Sequence, residues 1–396
     1  VYENILLFSC KKEIPGMQNE TLTLVCVSHL RWDHVWQRPQ QLMSRFTQYC
    51  RVLYVNPPEI TGNATEPYFQ EPFSDHGVQV MRPIFPATLL DTAGQTYRDM
   101  WLSLMPALID HAGPNMIFWV FSPLADYLAS AAQPYAQRIV YDCMDDLASF
   151  KDGTPEMRQR EKRLFNLADV VFTGGRSMYE ARKDQHPNVH CFPSGVDLEH
   201  YRQAQQPTAI ELPAIASIPH PRLGYFGVLD ERIDWPLIAS IAEERPDWHW
   251  TLVGPTAKVD PAELPSAPNI HYLGQQNYAD LPCFLGSFDL ATMPFALNEA
   301  TRFISPTKTP EYLAGGKDVI STSVPDVVAA YQGIVTIVDG VDAWIDAIEQ
   351  LLAAPPADRL VRLERAQPLL ERGSWDGIVE RMWTMMHRSL ERAVNG

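Results

Sequence analysis

Apolar residues in this chain fall in short continuous runs separated by helical patterns. The first series is Leu22–Ser28, Arg51–Asn56, Val78–Met81, Met116–Phe121, Arg138–Asp142, Val170–Thr173 and Val189–Phe192. The second is Arg222–Phe226, Trp248–Val253, Ile270–Leu273, Leu290–Met293, Asp318–Ser321 and Ile334–Val338. Unbroken runs, rather than strict alternation, predict strands buried on both faces of a parallel sheet. Pro39–Tyr49, Glu156–Leu167 and Asp234–Arg245 carry helical spacing between them. This rhythm predicts an α/β fold of two doubly wound, Rossmann-like domains facing a cleft. Breaker signals at Gln203–Thr208 and Ile218–Pro221 place the join near 200–220. The domains are expected at 17–205 and 218–374. A final amphipathic helix over 375–396 repeats Trp375, Ile378, Val379, Met382, Trp383, Met386 and Leu390, and is expected to cross back to the first domain.

Composition narrows the function. The net charge is −16, from 48 acids and 32 bases, which argues against a nucleic-acid partner. The six cysteines are widely spaced without a Cys-x-x-Cys pair, as expected of reduced thiols in a cytosolic protein. No apolar run reaches the roughly 18 residues of a membrane span. Peripheral association with the inner face of the plasma membrane stays open. Lys11-Lys12 follows the apolar run Ile5–Phe8, the wrong order for a secretory leader, and the native start is expected near Met17.

The densest chemistry lies at Ser305-Pro306-Thr307-Lys308-Thr309-Pro310-Glu311, ahead of Gly315-Gly316 and the strand at Val319. Pro310 restricts a helix here to a start no earlier than about Thr307, since proline is tolerated only in the first turn. Unpaired N–H groups at a helix start suit a phosphate. Glu311, one turn in, suits ribose hydroxyls. Diphosphate plus ribose is the common part of nucleotide-sugars. Nearby strand exits carry Gly227, Gly254 and the polar tip at Gln275, all in positions where α/β sheets bind ligands. Arg232 could reach a diphosphate from just past the Gly227 turn, or pair with Asp230 or Glu231. No Gly-x-Gly-x-x-Gly, Walker loop or Gly-x-Ser-x-Gly elbow is present.

In the first half, Ser28–Pro39 packs His29, Arg31, Trp32, Asp33, Gln37 and Arg38 into one strand exit. Aromatic faces ringed by polar groups suit a carbohydrate or lipid-linked acceptor; Trp32 and Trp36 could equally be buried anchors. Asp142, Asp145 and Asp146 end another strand, with Asp145 favoured as a cleft carboxylate over a metal ligand.

These motifs, Tyr-Phe-Gly with Arg232, Leu-Val-Gly-Pro, Asn-Ile-His-Tyr-Leu-Gly, Pro-Phe and the 305–317 run, resemble the GT-B glycosyltransferases. The likeness is greatest to the retaining glycogen-synthase and mannosyltransferase type. The Gln-Arg-Pro-Gln loop resembles a bacterial subset acting in surface-polysaccharide assembly. The resemblance implies hexosyl transfer from a nucleotide-diphosphate sugar to a carbohydrate or lipid-linked acceptor. It implies no metal and no cofactor, with Arg232 and Lys308 on the diphosphate. It also implies that Ser305, Pro306 and Thr307 contact the phosphate and donor sugar through loop N–H groups. The family often pairs two glutamates eight residues apart, but eight back from Glu311 is Phe303. Glu299, twelve back, is the nearest upstream acid and the candidate for the donor sugar. A sugar-nucleotide epimerase on the same fold, or a non-catalytic nucleotide-sugar-binding subunit, are the alternatives.

Overall fold

The computed structural model describes residues 22–90, 95–149, 153–206 and 212–394. The expectation for the native start near Met17 lies outside these residues. The chain builds two sheets, each packed between helices.

Strands of the first sheet are β1 (Thr23–Val27), β2 (Arg51–Val55), β3 (Glu59–Thr61), β4 (Tyr68–Asp75), β5 (Val78–Pro86), β6 (Met116–Val120), β7 (Ala136–Cys143), β8 (Val170–Thr173) and β9 (Val189–Cys191). Their order is β3-β5-β2-β1-β6-β7-β8-β9, parallel throughout, with β4 added antiparallel to β5. β1 shows why the pattern is unbroken: all five residues are buried. Val25 and Val27 enter the core on one face of the sheet, and Leu24 and Cys26 enter the core on the other.

Two features depart from the sequence reading. β5 runs on to Pro86 rather than ending at Met81, because it pairs with β3 and with the hairpin strand β4. The helix Gln95–Ala112 had no counterpart in the periodicity.

The second sheet holds β10 (Arg222–Phe226), β11 (His249–Val253), β12 (Ile270–Tyr272), β13 (Leu290–Met293), β14 (Val319–Ser321) and β15 (Thr336–Ile337). The order β12-β11-β10-β13-β14-β15 is wholly parallel and reverses direction of winding between β10 and β13. Ligands gather at such a switch point, outside the carboxyl ends of the strands.

The helix Trp375–Val394 returns to the first sheet. Trp375, Ile378, Val379, Met382, Trp383 and Met386 join that domain's core, and Trp383 stacks on Tyr49 at 4.9 Å. Burial of each such side chain is worth about 1.5–3 kcal/mol, which fastens the two halves together. At the same junction Val196 N–H donates to Gly373 O (3.0 Å) and Trp375 N–H to Val196 O (3.1 Å).

Candidate active site

The sheets present their carboxyl ends to one another across a cleft lined by both domains. It encloses about 140 Å³, below the roughly 300 Å³ at the small end of ligand pockets.

Two glycines shape the strand exits beneath the cleft. Gly227 follows β10 at φ +152° and Gly254 follows β11 at φ +147°, conformations that favour glycine. A β-carbon on Gly254 would lie 1.8 Å from the Gly227 carbonyl oxygen. Gly254→Ala is expected to cost at least the about 1–3 kcal/mol of a strained backbone, read as a lower urea midpoint. Gly254 itself does not line the cleft; it holds the two strand exits together.

The helix Lys308–Ala314 begins where Pro310 allows, with Thr307 as its N-cap and Gly315 as its C-cap. Gly316 follows at φ +78°. Tyr312 fixes the helix to the end of β10, its hydroxyl accepting from Phe226 N–H at 2.9 Å. This places Ser305, Pro306, Thr307, Lys308 and Glu311 on the cleft wall. Lys308 Nζ donates to Glu311 Oε2 (2.8 Å) and Thr307 Oγ1 (3.1 Å), and lies 5.1 Å from the Phe226 ring centre. Burial pushes the Glu311 carboxyl up, and Lys308, then a hydrogen bond from Tyr201, offset part of that.

Arg232 also lines the cleft, and the pairing with Asp230 holds as well. Its Nη2 reaches Asp230 Oδ2 at 2.7 Å, and its backbone N–H reaches Oδ1 at 3.0 Å. Burial alone would lower its pKa; Asp230, then Asp145 opposite, more than offset this. Asp145 brings the first domain's charge to the same place. Burial raises its carboxyl, against the pull of Arg232 and Arg38.

The three acids after β7 separate. Asp142 is fully buried and grips Arg38 through both oxygens at 3.0 Å. Asp146 is buried on Arg182 (3.3 Å). Only Asp145 faces the cleft. Arg38 touches the cleft, but its guanidinium is spent on Asp142 and on Phe192 O (2.9 Å). Gln37 lines the cleft directly.

Other predicted residues lie elsewhere. Trp32 is a buried anchor, its indole N–H donating to Asp75 (2.8 Å) and its backbone N–H accepted by Asn56 (2.9 Å). Arg31 and Asp33 are exposed and paired with each other, and Arg82 also holds Asp33. His29 is half-buried outside the cleft. Its Nδ1 has no hydrogen-bond partner among the described residues, and burial, then the charge of Lys258, hold it at about 4. Gln275 is exposed and off the cleft wall. Glu299 does not join Glu311. Asn298 and Thr301 close a tight turn that points Glu299 outward toward Arg302 (3.6 Å), onto a separate surface depression with Arg158 and Lys162.

Sequence reasoning passed over Tyr201 and the role of Tyr278. Tyr201 comes from the short helix Leu198–Arg202 and supports Glu311 from behind. Tyr278 stacks on His200 at 4.1 Å and accepts from Gln41 Nε2 (3.0 Å), joining the domains beside the cleft. Tyr201 sits in no periodic or motif-bearing context, whereas Tyr278 ends the polar stretch that follows Asn269–Gly274.

Residues 220–354 match the family described as glycosyl transferases group 1. The TuaH protein of Bacillus subtilis (strain 168), named as a glycosyltransferase of teichuronic acid biosynthesis, is 25% identical over 204 residues. That alignment takes in 48% of this chain and 51% of TuaH, so the chain spans about half the length of this curated relative. Among solved structures, the α,α-trehalose 6-phosphate synthase of Burkholderia multivorans superposes with a TM-score of 0.67 at 14% identity, covering 95% of this chain and 98% of its own. The sucrose-phosphate synthase of Thermosynechococcus elongatus gives 0.67 at 16%, covering 94% and 100%. The chain has the two-domain GT-B fold, and its second domain carries the match to glycosyl transferases group 1.

Proposed function

We propose that this protein is a glycosyltransferase moving a hexosyl group from a nucleotide-diphosphate sugar to a carbohydrate or lipid-linked acceptor in surface-polysaccharide assembly. The observation that carries this reading is the meeting of Glu311, Lys308 and Arg232 on one cleft wall, with Asp145 and Gln37 of the other domain opposite. Glu311 takes the ribose hydroxyls. Lys308, already 2.8 Å from Glu311, and Arg232 neutralise the diphosphate. Cationic stabilisation of the departing nucleotide is worth most in a water-poor site. Asp145 borders the space left for the sugar and the incoming hydroxyl. The likeness to TuaH supports the polysaccharide setting, and the motifs of the second domain support a retaining course.

A thermal-shift panel of UDP-, GDP-, ADP- and dTDP-sugars tests the reading. Nucleotide-sugars of one base should raise the melting temperature, because a ligand bound to the folded state stabilises it by RT ln(1 + [L]/Kd). A flat response across the whole panel contradicts it.

A further inference from the structure

A second cavity, of about 590 Å³, opens between the domains beside the donor cleft. Ser194, Ser305 and Pro306 line both spaces, so the two are contiguous. Arg176 of the first domain, Arg372 near the end of the helix Pro356–Arg372, and Arg381 of the final helix all border it.

Among the described residues, none of these three guanidinium groups forms an ion pair. The acids on the same wall are already engaged. Asp326 accepts the backbone N–H groups of Arg176 and Ser177 at 2.8 Å each, and Glu180 is paired with Lys183. Arg381 is positioned by donating to Arg372 O (3.2 Å) and by lying over the Phe192 ring. Partial burial, then the charge of Arg372, pull Arg381 below the usual guanidinium range. Three guanidinium groups without an ion-pair partner among the described residues thus gather on one cavity of a chain whose net charge is −16. Guanidinium forks match carboxylate and phosphate oxygens in pairs.

We propose that this arginine-lined cavity receives the carboxylate or phosphate group of an anionic sugar acceptor. The proposal rests on the adjoining cleft being the donor site, since Ser305 and Pro306 then separate acceptor from donor sugar by one loop.

The test is calorimetric titration with glucuronate, glucose 6-phosphate, inorganic phosphate and neutral glucose. Three proteins are compared: wild type, the triple variant Arg176→Gln/Arg372→Gln/Arg381→Gln, and Lys308→Gln. All three arginines are exposed, so the triple variant should fold, which a melting curve verifies. At least one sugar anion should bind the wild type and Lys308→Gln alike, at least tenfold more weakly the triple variant, and better than glucose. Absence of anion binding, or a loss in Lys308→Gln instead, would overturn the proposal. Tighter binding of inorganic phosphate than of either sugar anion would overturn it too, assigning the cavity to a free anion. A thermal shift with nucleotide-sugars should persist in the triple variant. Its absence from the wild type would sink the donor-site reading, and the titrations report on the arginine cavity separately.

Discussion

Glu311→Ala should weaken nucleotide-sugar binding by about 1.5–3 kcal/mol, the worth of hydrogen bonds to a charged group, or roughly 10- to 150-fold in Kd. The Glu311 carboxylate is 6% exposed, and burial raises its pKa. Burial thus opposes the charged form, and Lys308 and Tyr201 partly offset that opposition. Ribose hydroxyls would add hydrogen bonds to the charged form. Removal of the side chain should leave the fold of the free protein intact, because Lys308 reaches solvent with 20% of its side chain exposed. Glu299→Ala serves as the control. With its side chain 74% exposed and outside the cleft, it should change Kd less than about twofold, in keeping with the small effects of surface substitutions. Equal losses in both variants would remove the distinction drawn between them.

Arg38→Met should be the most damaging substitution for folding. Arg38 is 3% exposed and Asp142 not at all, and the pair ties the first helix, Arg38–Phe46, to the end of β7. Breaking one side of a buried ion pair strands the other charge, at about 3–5 kcal/mol. The double variant Arg38→Met/Asp142→Leu should recover much of this, since neither charge is then left alone. The pH dependence has a definite sign. Burial already raises the Asp142 carboxyl, and Arg38 is the main counterweight. Without Arg38 its folded-state pKa moves further above the unfolded value. The folded form then binds more protons than the unfolded form, and stability falls as pH rises through that window. The deficit of Arg38→Met in urea unfolding should therefore shrink on acidification from neutral pH. A deficit that grew on acidification would show that Asp142 is not the stranded charge.

How much of this was legible in the sequence depended on where the contacts lie. β8, β10 and β13 match their apolar runs residue for residue, because each is buried on both faces and its pattern is local. The cleft wall at 305–311 was legible because proline chemistry fixes a helix start without reference to anything distant. β4 was not legible. It lies at the sheet margin, where Tyr68–Asp75 mixes exposed and half-buried residues without regular alternation, and its register comes from β5 through a turn at His76-Gly77, both at positive φ. The loop after β1 shows the opposite failure. Its composition suggested an acceptor site, yet Trp32, Arg31 and Asp33 find partners within the first domain, and of the residues singled out there Trp36, Gln37 and Arg38 reach the cleft. Composition reports which side chains are present; it does not report which are already paired. The same limit applies to the arginines at 176, 372 and 381, whose convergence requires the final helix to fold back across both domains.

The central claim is that a nucleotide-sugar binds between the domains on Glu311, Lys308 and Arg232. It is tested most directly by a crystal structure with the nucleoside diphosphate of the base that stabilises the protein best. The account predicts ribose hydroxyls on the Glu311 carboxylate and diphosphate oxygens within hydrogen-bonding distance of the Lys308 and Arg232 side chains. A nucleotide bound elsewhere, whether in the arginine cavity or against the loop after β1, with Glu311 still held by Lys308 alone, would contradict it.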